Sequence, residues 1–244
     1  MKKRSRSSTN PARRPERESG FLPLAIGTSG GVAIAALAFW FFKEQAEAVV
    51  EGRAEKYDVA VIDLVHTASS EGMTTAMKVI THLGSHAAIG TAAGITAIAM
   101  IWRKRNHDAS TVIISTGGAM VLNTALKAIF QRQRPDLQRE RKIRLPKSHS
   151  FPSGHSLLSA ATYPIVVHHL VRNRSAATQL LAHIATFGII GTVGFSRIYF
   201  AVHFPSDVLG GFAAGFGWLG LTSLSHTIGD RELGLDASEL KIEN

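Results

Sequence analysis

No cysteine occurs in this chain of 244 residues. That excludes disulfides and thiolate chemistry, and it leaves the compartment open, because a cysteine-free chain tolerates any redox state. Acid is also scarce, with 18 Asp and Glu against 27 Lys and Arg, for a formal charge of +9. An excess of base invites a nucleic-acid reading, but here the charges collect in a tail and in loops, where they serve topology instead. The 11 histidines show no spacing suited to a metal. Residues 1–20 have few apolar side chains, and their Ser, Arg and Pro content predicts a disordered tail.

What remains is gathered into apolar blocks. Residues 21–42 carry no charge and are long enough to span a hydrocarbon core of roughly 30 Å. Five further blocks run over about 85–102, 110–130, 155–171, 176–195 and 207–224. Several are rich in Gly, Ala, Ser and Thr, which suits close helix packing in lipid. The fold class expected is therefore all-α, an integral membrane bundle of about six transmembrane helices. It divides into a basic cytoplasmic tail (1–20), a membrane-embedded domain (21–225) and a cytoplasmic C-terminal tail (226–244). Ala46-Glu47-Ala48 resembles a cleavage site, but the preceding run is longer than a signal-peptide core and ends in Phe39-Trp40-Phe41-Phe42, so a retained helix is expected.

The Lys and Arg of the tail hold the N-terminus in the cytoplasm. Residues 44–84 then lie outside, with 57–68 expected as a helix along the membrane surface. Counting onward, the segment 131–147, with Arg132, Arg134, Arg139, Arg141, Lys142, Arg144 and Lys147, falls outside too. Positive charge there runs against the insertion preference, and attraction of an anionic substrate is its simplest purpose.

Three clusters sit where apolar blocks meet polar loops. Lys127 and Arg134 would share one helix face if the helix ran on to Pro135, and two such cations can hold phosphate oxygens. Pro152-Ser153-Gly154-His155 opens an apolar helix, with Ser153 as N-cap, Gly154 for close approach and His155 in the first turn beside an anion site. Ser196-Arg197 is followed by His203 and Asp207 at i, i+4 spacing, where a carboxylate on one imidazole nitrogen leaves the other as a nucleophile. The parity of their helix ends places all three clusters on one membrane face. Each alone has a bland explanation, whether snorkelling, a capping turn or an interfacial ion pair. Together they point to one phosphate site.

These motifs resemble the signature of the type 2 phosphatidic acid phosphatases, an undecaprenyl pyrophosphate phosphatase-like family of membrane lipid phosphatases within a superfamily that includes vanadium haloperoxidases. The resemblance implies a metal-independent hydrolase with no cofactor, acting on a lipid phosphate or pyrophosphate through a phosphohistidine intermediate, outside the cytoplasm. His203 would attack phosphorus, Asp207 would orient it, and His155 would serve as acid and then base. Lys127, Arg134, Ser153, Gly154 and Arg197 would bind substrate oxygens. The implied partners are the lipid substrate and the bilayer, with no nucleic acid. Alternatives are an anion transporter or channel, or a vanadate-dependent haloperoxidase. His149 adjoins the signature and is a further candidate substrate contact; the remaining histidines are expected in interfacial or packing roles. Gly211 and Gly215 read as a helix-packing face, inside the molecule or between copies as a homo-oligomer.

Overall fold

A computed structural model describes residues 28–135 and 147–232. The expected disorder of 1–20 and the cations Arg139, Arg141, Lys142 and Arg144 lie outside the described residues. Within them the regular structure is helical throughout: α1 (Thr28–Val50), α2 (Glu55–Thr67), α3 (Glu71–Leu83), α4 (His86–Trp102), α5 (Asn106–Phe130), α6 (Gly154–Val171), α7 (Ala176–Tyr199) and α8 (Pro205–Glu232). Three helix starts are fixed by serine caps: Ser70 accepts from Met73 N at 3.2 Å, Ser85 from Ala88 N at 3.2 Å and Ser175 from Thr178 N at 3.3 Å. Each satisfies one of the amide donors that a helix N-terminus leaves unpaired.

Where the structure describes them, the six apolar blocks are helical, but they do not cross alike. α5, α7 and the Pro205–Ser225 part of α8 are long and apolar enough to span alone, while α3 and α4 qualify only as a pair bent by 47°. The block behind α1 begins before the described residues. α6 falls outside this set for a physical reason. It lies at the centre of the bundle, packed by α4, α5, α7 and α8, and its hydroxyl-bearing faces meet protein instead of lipid. Ser115 Oγ donates to the carbonyl of Ala161 at 2.8 Å, and Thr162 Oγ1 donates to Thr116 Oγ1 at 3.2 Å. A helix lined by neighbours does not need a uniformly apolar surface.

The outward surface is apolar. Leu37, Phe39 and Trp40 on α1, Ile95 and Trp102 on α4, Val121 and Ile129 on α5 and Leu181 and Ile184 on α7 are all exposed. Such a belt belongs in lipid, and the chain is an integral membrane protein. α8 serves as the second axis. A Cβ on Gly211 would stand 2.6 Å from the Ser153 carbonyl, and one on Gly215 would stand 2.4 Å from that of Leu157. The expected glycine face is therefore a packing face inside the molecule, against α6. Below the site, Ile89, Ala119, Leu157, Leu158, Ala161 and Ala214 form a buried apolar cluster.

The stretch expected as a helix at 57–68 is α2. α3 was not foreseen; with α2 it covers the ends of α7 and α8, where Met77 packs with Tyr199, Phe200 and Val202.

Candidate active site

The C-terminal ends of α5 and α7 and the N-terminal starts of α6 and α8 converge at one end of the bundle, as the parity argument requires. His203 lies in the turn before α8, 2% exposed, with Nδ1 3.3 Å from Asp207 Oδ2. Its other ring nitrogen, Nε2, is 3.0 Å from a guanidinium nitrogen of Arg134. A carboxylate at Nδ1 selects the tautomer with hydrogen there, so the Nε2 lone pair faces Arg134. Burial is the main cause that pushes His203 down to about 3; the cations Arg134 and Lys127 add to it while Asp207 opposes. The imidazole is thus neutral at physiological pH, the form a nucleophile needs.

Asp207 is 0% exposed and heavily bonded. Its Oδ1 accepts from Arg132 at 2.8 Å, and its Oδ2 accepts from the Phe204 amide at 2.8 Å and from the Ser150 hydroxyl. Its backbone carbonyl accepts from Ser153 N at 2.9 Å, which ties the second cluster to the third. A carboxylate so anchored holds its imidazole in one orientation.

Two local expectations need correction. α5 ends at Phe130, because Gln131 adopts a left-handed conformation with φ 46°. Lys127 therefore ends a helix, whereas Arg134 is carried in by the following loop, and Pro135 does not terminate α5. The loop is pinned instead by Arg134, whose guanidinium donates to the carbonyls of Ser148 at 2.7 Å and Val202 at 2.6 Å. Lys127 Nζ donates to the carbonyls of His149 and, at 3.3 Å, Ser150. Ser153 occupies the N-cap position of α6, yet its side chain caps no amide; its Oγ accepts from Ser156 Oγ at 3.0 Å. The leading amides of α6 are correspondingly left without that hydroxyl.

Gly154 lies tight against Asn123: a Cβ there would stand 3.1 Å from its Oδ1, so the amide side chain would have to give by a few tenths of an ångström. His155 packs its ring against Gly84, where an added Cβ would come within 2.9 Å of its Cδ2. Arg197 is 4% exposed; one guanidinium nitrogen donates to Thr81 Oγ1 at 2.6 Å, and Nε is buried without a partner. Lys127, Arg134, Gly154, His155, Arg197 and His203 all line one pocket of about 640 Å³. Ser153 and Asp207 stand behind that lining, fully buried. His149 is in the wall as well, and so is His86, which had been expected in an interfacial or packing role.

The sequence reading missed Asn123, Ser150, Thr81 and Asp58. Asn123 could have been found, since it precedes Lys127 by four residues and so shares its helix face. It is 6% exposed, lines the pocket and has a buried Oδ1 with no partner. Asp58 gave no signal: it accepts from Ser206 N at 2.9 Å across 148 residues of sequence. Among the described residues no group of three or more His, Asp or Glu is arranged to hold a metal ion.

The PAP2 superfamily profile matches residues 108–228, a span that contains all three clusters. Phosphatidylglycerophosphatase B of Bacillus subtilis is 31% identical over 179 residues, covering 72% of this chain and 87% of that protein. The chain belongs to the PAP2 superfamily. Decaprenylphosphoryl-5-phosphoribose phosphatase of Mycobacterium tuberculosis is 30% identical over 67% of this chain and 87% of its own length. The crystal structure of a transmembrane PAP2-type phosphatidylglycerolphosphate phosphatase from Bacillus subtilis superposes with a TM-score of 0.72 at 29% identity, over 82% of this chain and 96% of that one. This PAP2 chain thus shares both the helical architecture and the sequence of membrane phosphatases. Its three clusters are brought to one pocket within that fold.

Proposed function

We propose that this protein hydrolyses a lipid phosphate or pyrophosphate through a phosphohistidine intermediate, at the extracytoplasmic face of the membrane. The observation that carries the proposal is His203, held at Nδ1 by Asp207, with Nε2 beside Arg134 in a pocket that also contains His155, Lys127 and Arg197. A phosphate entering there takes Arg134 from Nε2 and leaves that nitrogen in line with phosphorus. A bond forms from Nε2 to phosphorus as the bond from phosphorus to the leaving oxygen breaks, which is the lipid oxygen of a monophosphate or the bridging oxygen of a pyrophosphate. His155, protonated when the phosphate anion enters beside it, gives its proton to that departing oxygen. Water then attacks the phosphorylated imidazole, losing a proton to His155, and inorganic phosphate is released with His203 restored. Lys127, Arg134 and Arg197 neutralise the equatorial oxygens, assisted by the Gly154 amide at the start of α6; Ser153 steers that amide. Positioning and charge neutralisation are the main demands of phosphoryl transfer.

A lipid substrate is supported by the pocket's place at one end of an apolar bundle and by the lipid phosphates that the relatives' names specify. The apolar cluster below the pocket favours a hydrolase over a channel. The N-terminus is assigned to the cytoplasm from the Lys and Arg of its tail. The test is phosphate release from phosphatidylglycerophosphate, phosphatidic acid and undecaprenyl pyrophosphate in mixed micelles containing chelator. Wild type is expected to turn over at least one of them, and His203→Ala to fall by about 10³-fold or more. Equal rates for the two proteins would sink the reading.

A further inference from the structure

Arg132 belongs to the basic segment whose charge invited an anionic substrate, yet its guanidinium points elsewhere. One terminal nitrogen donates to Asp207 Oδ1 at 2.8 Å and to Ser206 Oγ at 2.7 Å. The other donates to Asp58 Oδ2 at 2.8 Å. Phe204 lies beneath, with its ring centroid 4.2 Å from the guanidinium carbon. Asp58, on α2, is 2% exposed and also accepts from Ser206 N at 2.9 Å and from the Ser206 hydroxyl. Arg132 does not line the pocket that holds His203.

We propose that Arg132 and Asp58 are positioning residues, a clamp that fixes Asp207 and, through it, the attacking nitrogen of His203. The inference rests on the phosphohistidine reading. Asp207 has two oxygens with different tasks. Oδ2 holds His203, and Oδ1 is held by Arg132, so the carboxylate cannot rotate about the Cβ–Cγ bond without breaking a charge-assisted contact. The Arg132 side chain, two residues beyond α5, would itself be loose without a second anchor. Asp58 supplies it from α2, and Ser206 joins both ends at the first turn of α8. The planar fork of arginine reaches two carboxylates at once, which a lysine ammonium does less well. Removing either anchor also leaves the other charge buried and unmatched.

The consequence separates this role from that of a substrate cation. Loss of a phosphate-binding residue weakens substrate binding and turnover together, whereas loss of a positioning residue lowers turnover at nearly constant KM. The experiment compares purified full-length wild type, Arg132→Gln, Arg132→Lys, Asp58→Asn and His203→Ala on short-chain phosphatidic acid in detergent micelles. It records kcat, KM and the acid-labile phosphoenzyme trapped by rapid quench. Arg132→Gln and Asp58→Asn are expected to lose kcat by about 10- to 100-fold, as when partners that orient a functional histidine are removed. KM should stay within about threefold, and trapped phosphoenzyme should fall with kcat. Arg132→Lys should recover part of the loss. If Arg132→Gln does not fold, the conservative Arg132→Lys and the near-isosteric Asp58→Asn carry the same comparison. A rise in KM of tenfold or more, with or without a fall in kcat, would overturn the clamp and make Arg132 a substrate cation. Wild-type kinetics in both Asp58→Asn and Arg132→Lys would overturn it too, as would a loss of kcat with undiminished phosphoenzyme. If His203→Ala kept full activity, the phosphohistidine reading itself would fall, a result distinct from failure of the clamp.

Discussion

His203 gathers the chemistry of the site into one side chain. Buried beside Asp207 and facing Arg134, it is neutral in the folded protein, whereas an unfolded histidine titrates near 6.5. The unfolded chain therefore binds a proton that the native state refuses. Its contribution to stability is complete above about pH 6.5 and is lost as pH falls toward about 3. Thermal unfolding in detergent should show a midpoint that declines through this acid window. His203→Asn should flatten the decline, because it removes the titrating group, and an unchanged slope would contradict the assignment. The convergence was legible: spacing grouped His203, Asp207, His155 and the three cations into clusters, and the fold brings them to one place. Asp58 was not, since an isolated polar residue in a helix gives no clue to whether it faces lipid, water or a ligand; Asn123, one turn before Lys127, could have been read from its spacing.

At the level of elements, the bundle depends on close contact between α6 and α8. Gly211 and Gly215 let α8 approach the backbone of α6, and Ser153 N bonds to the Asp207 carbonyl at that contact. Gly215→Val should therefore destabilise by about 1–3 kcal/mol through overpacking against Leu157 and Ala160, measured as a lower unfolding midpoint in detergent. It should also depress activity, because the same contact aligns Ser153 and Asp207. Gly90→Val is the control, since an added Cβ at Gly90 meets nothing within 4 Å. Apolar composition revealed the helices. It did not reveal which were lipid-facing, and α6, wrapped by its neighbours, falls outside the helices apolar enough to span alone. The conditional extension of α5 to Pro135 is not realised, for the same kind of limit: a left-handed Gln131 has no composition signal, whereas Pro135, which does, lies beyond the break.

For the whole molecule, the absence of cysteine becomes an experimental advantage. A single cysteine can be introduced without background, and the proposed sidedness predicts its accessibility. Lys147→Cys should react with a membrane-impermeant maleimide on intact cells, while Arg174→Cys, at the opposite end of α6, should react only after permeabilisation. The reverse pattern would invert the proposed topology.

Sequence alone determined that this chain is a helical membrane protein and grouped the residues of one candidate phosphate site at a single end of its bundle. Helix period, charge placement and motif spacing are local properties, and each is written into consecutive residues. Tertiary structure alone decided how the Asp207 carboxylate is held. The clamp joins α2, the loop after α5 and the start of α8, segments whose distance along the chain carries no information about their meeting. Only burial brings Asp58, Arg132 and Asp207 together, because charges removed from water must find one another.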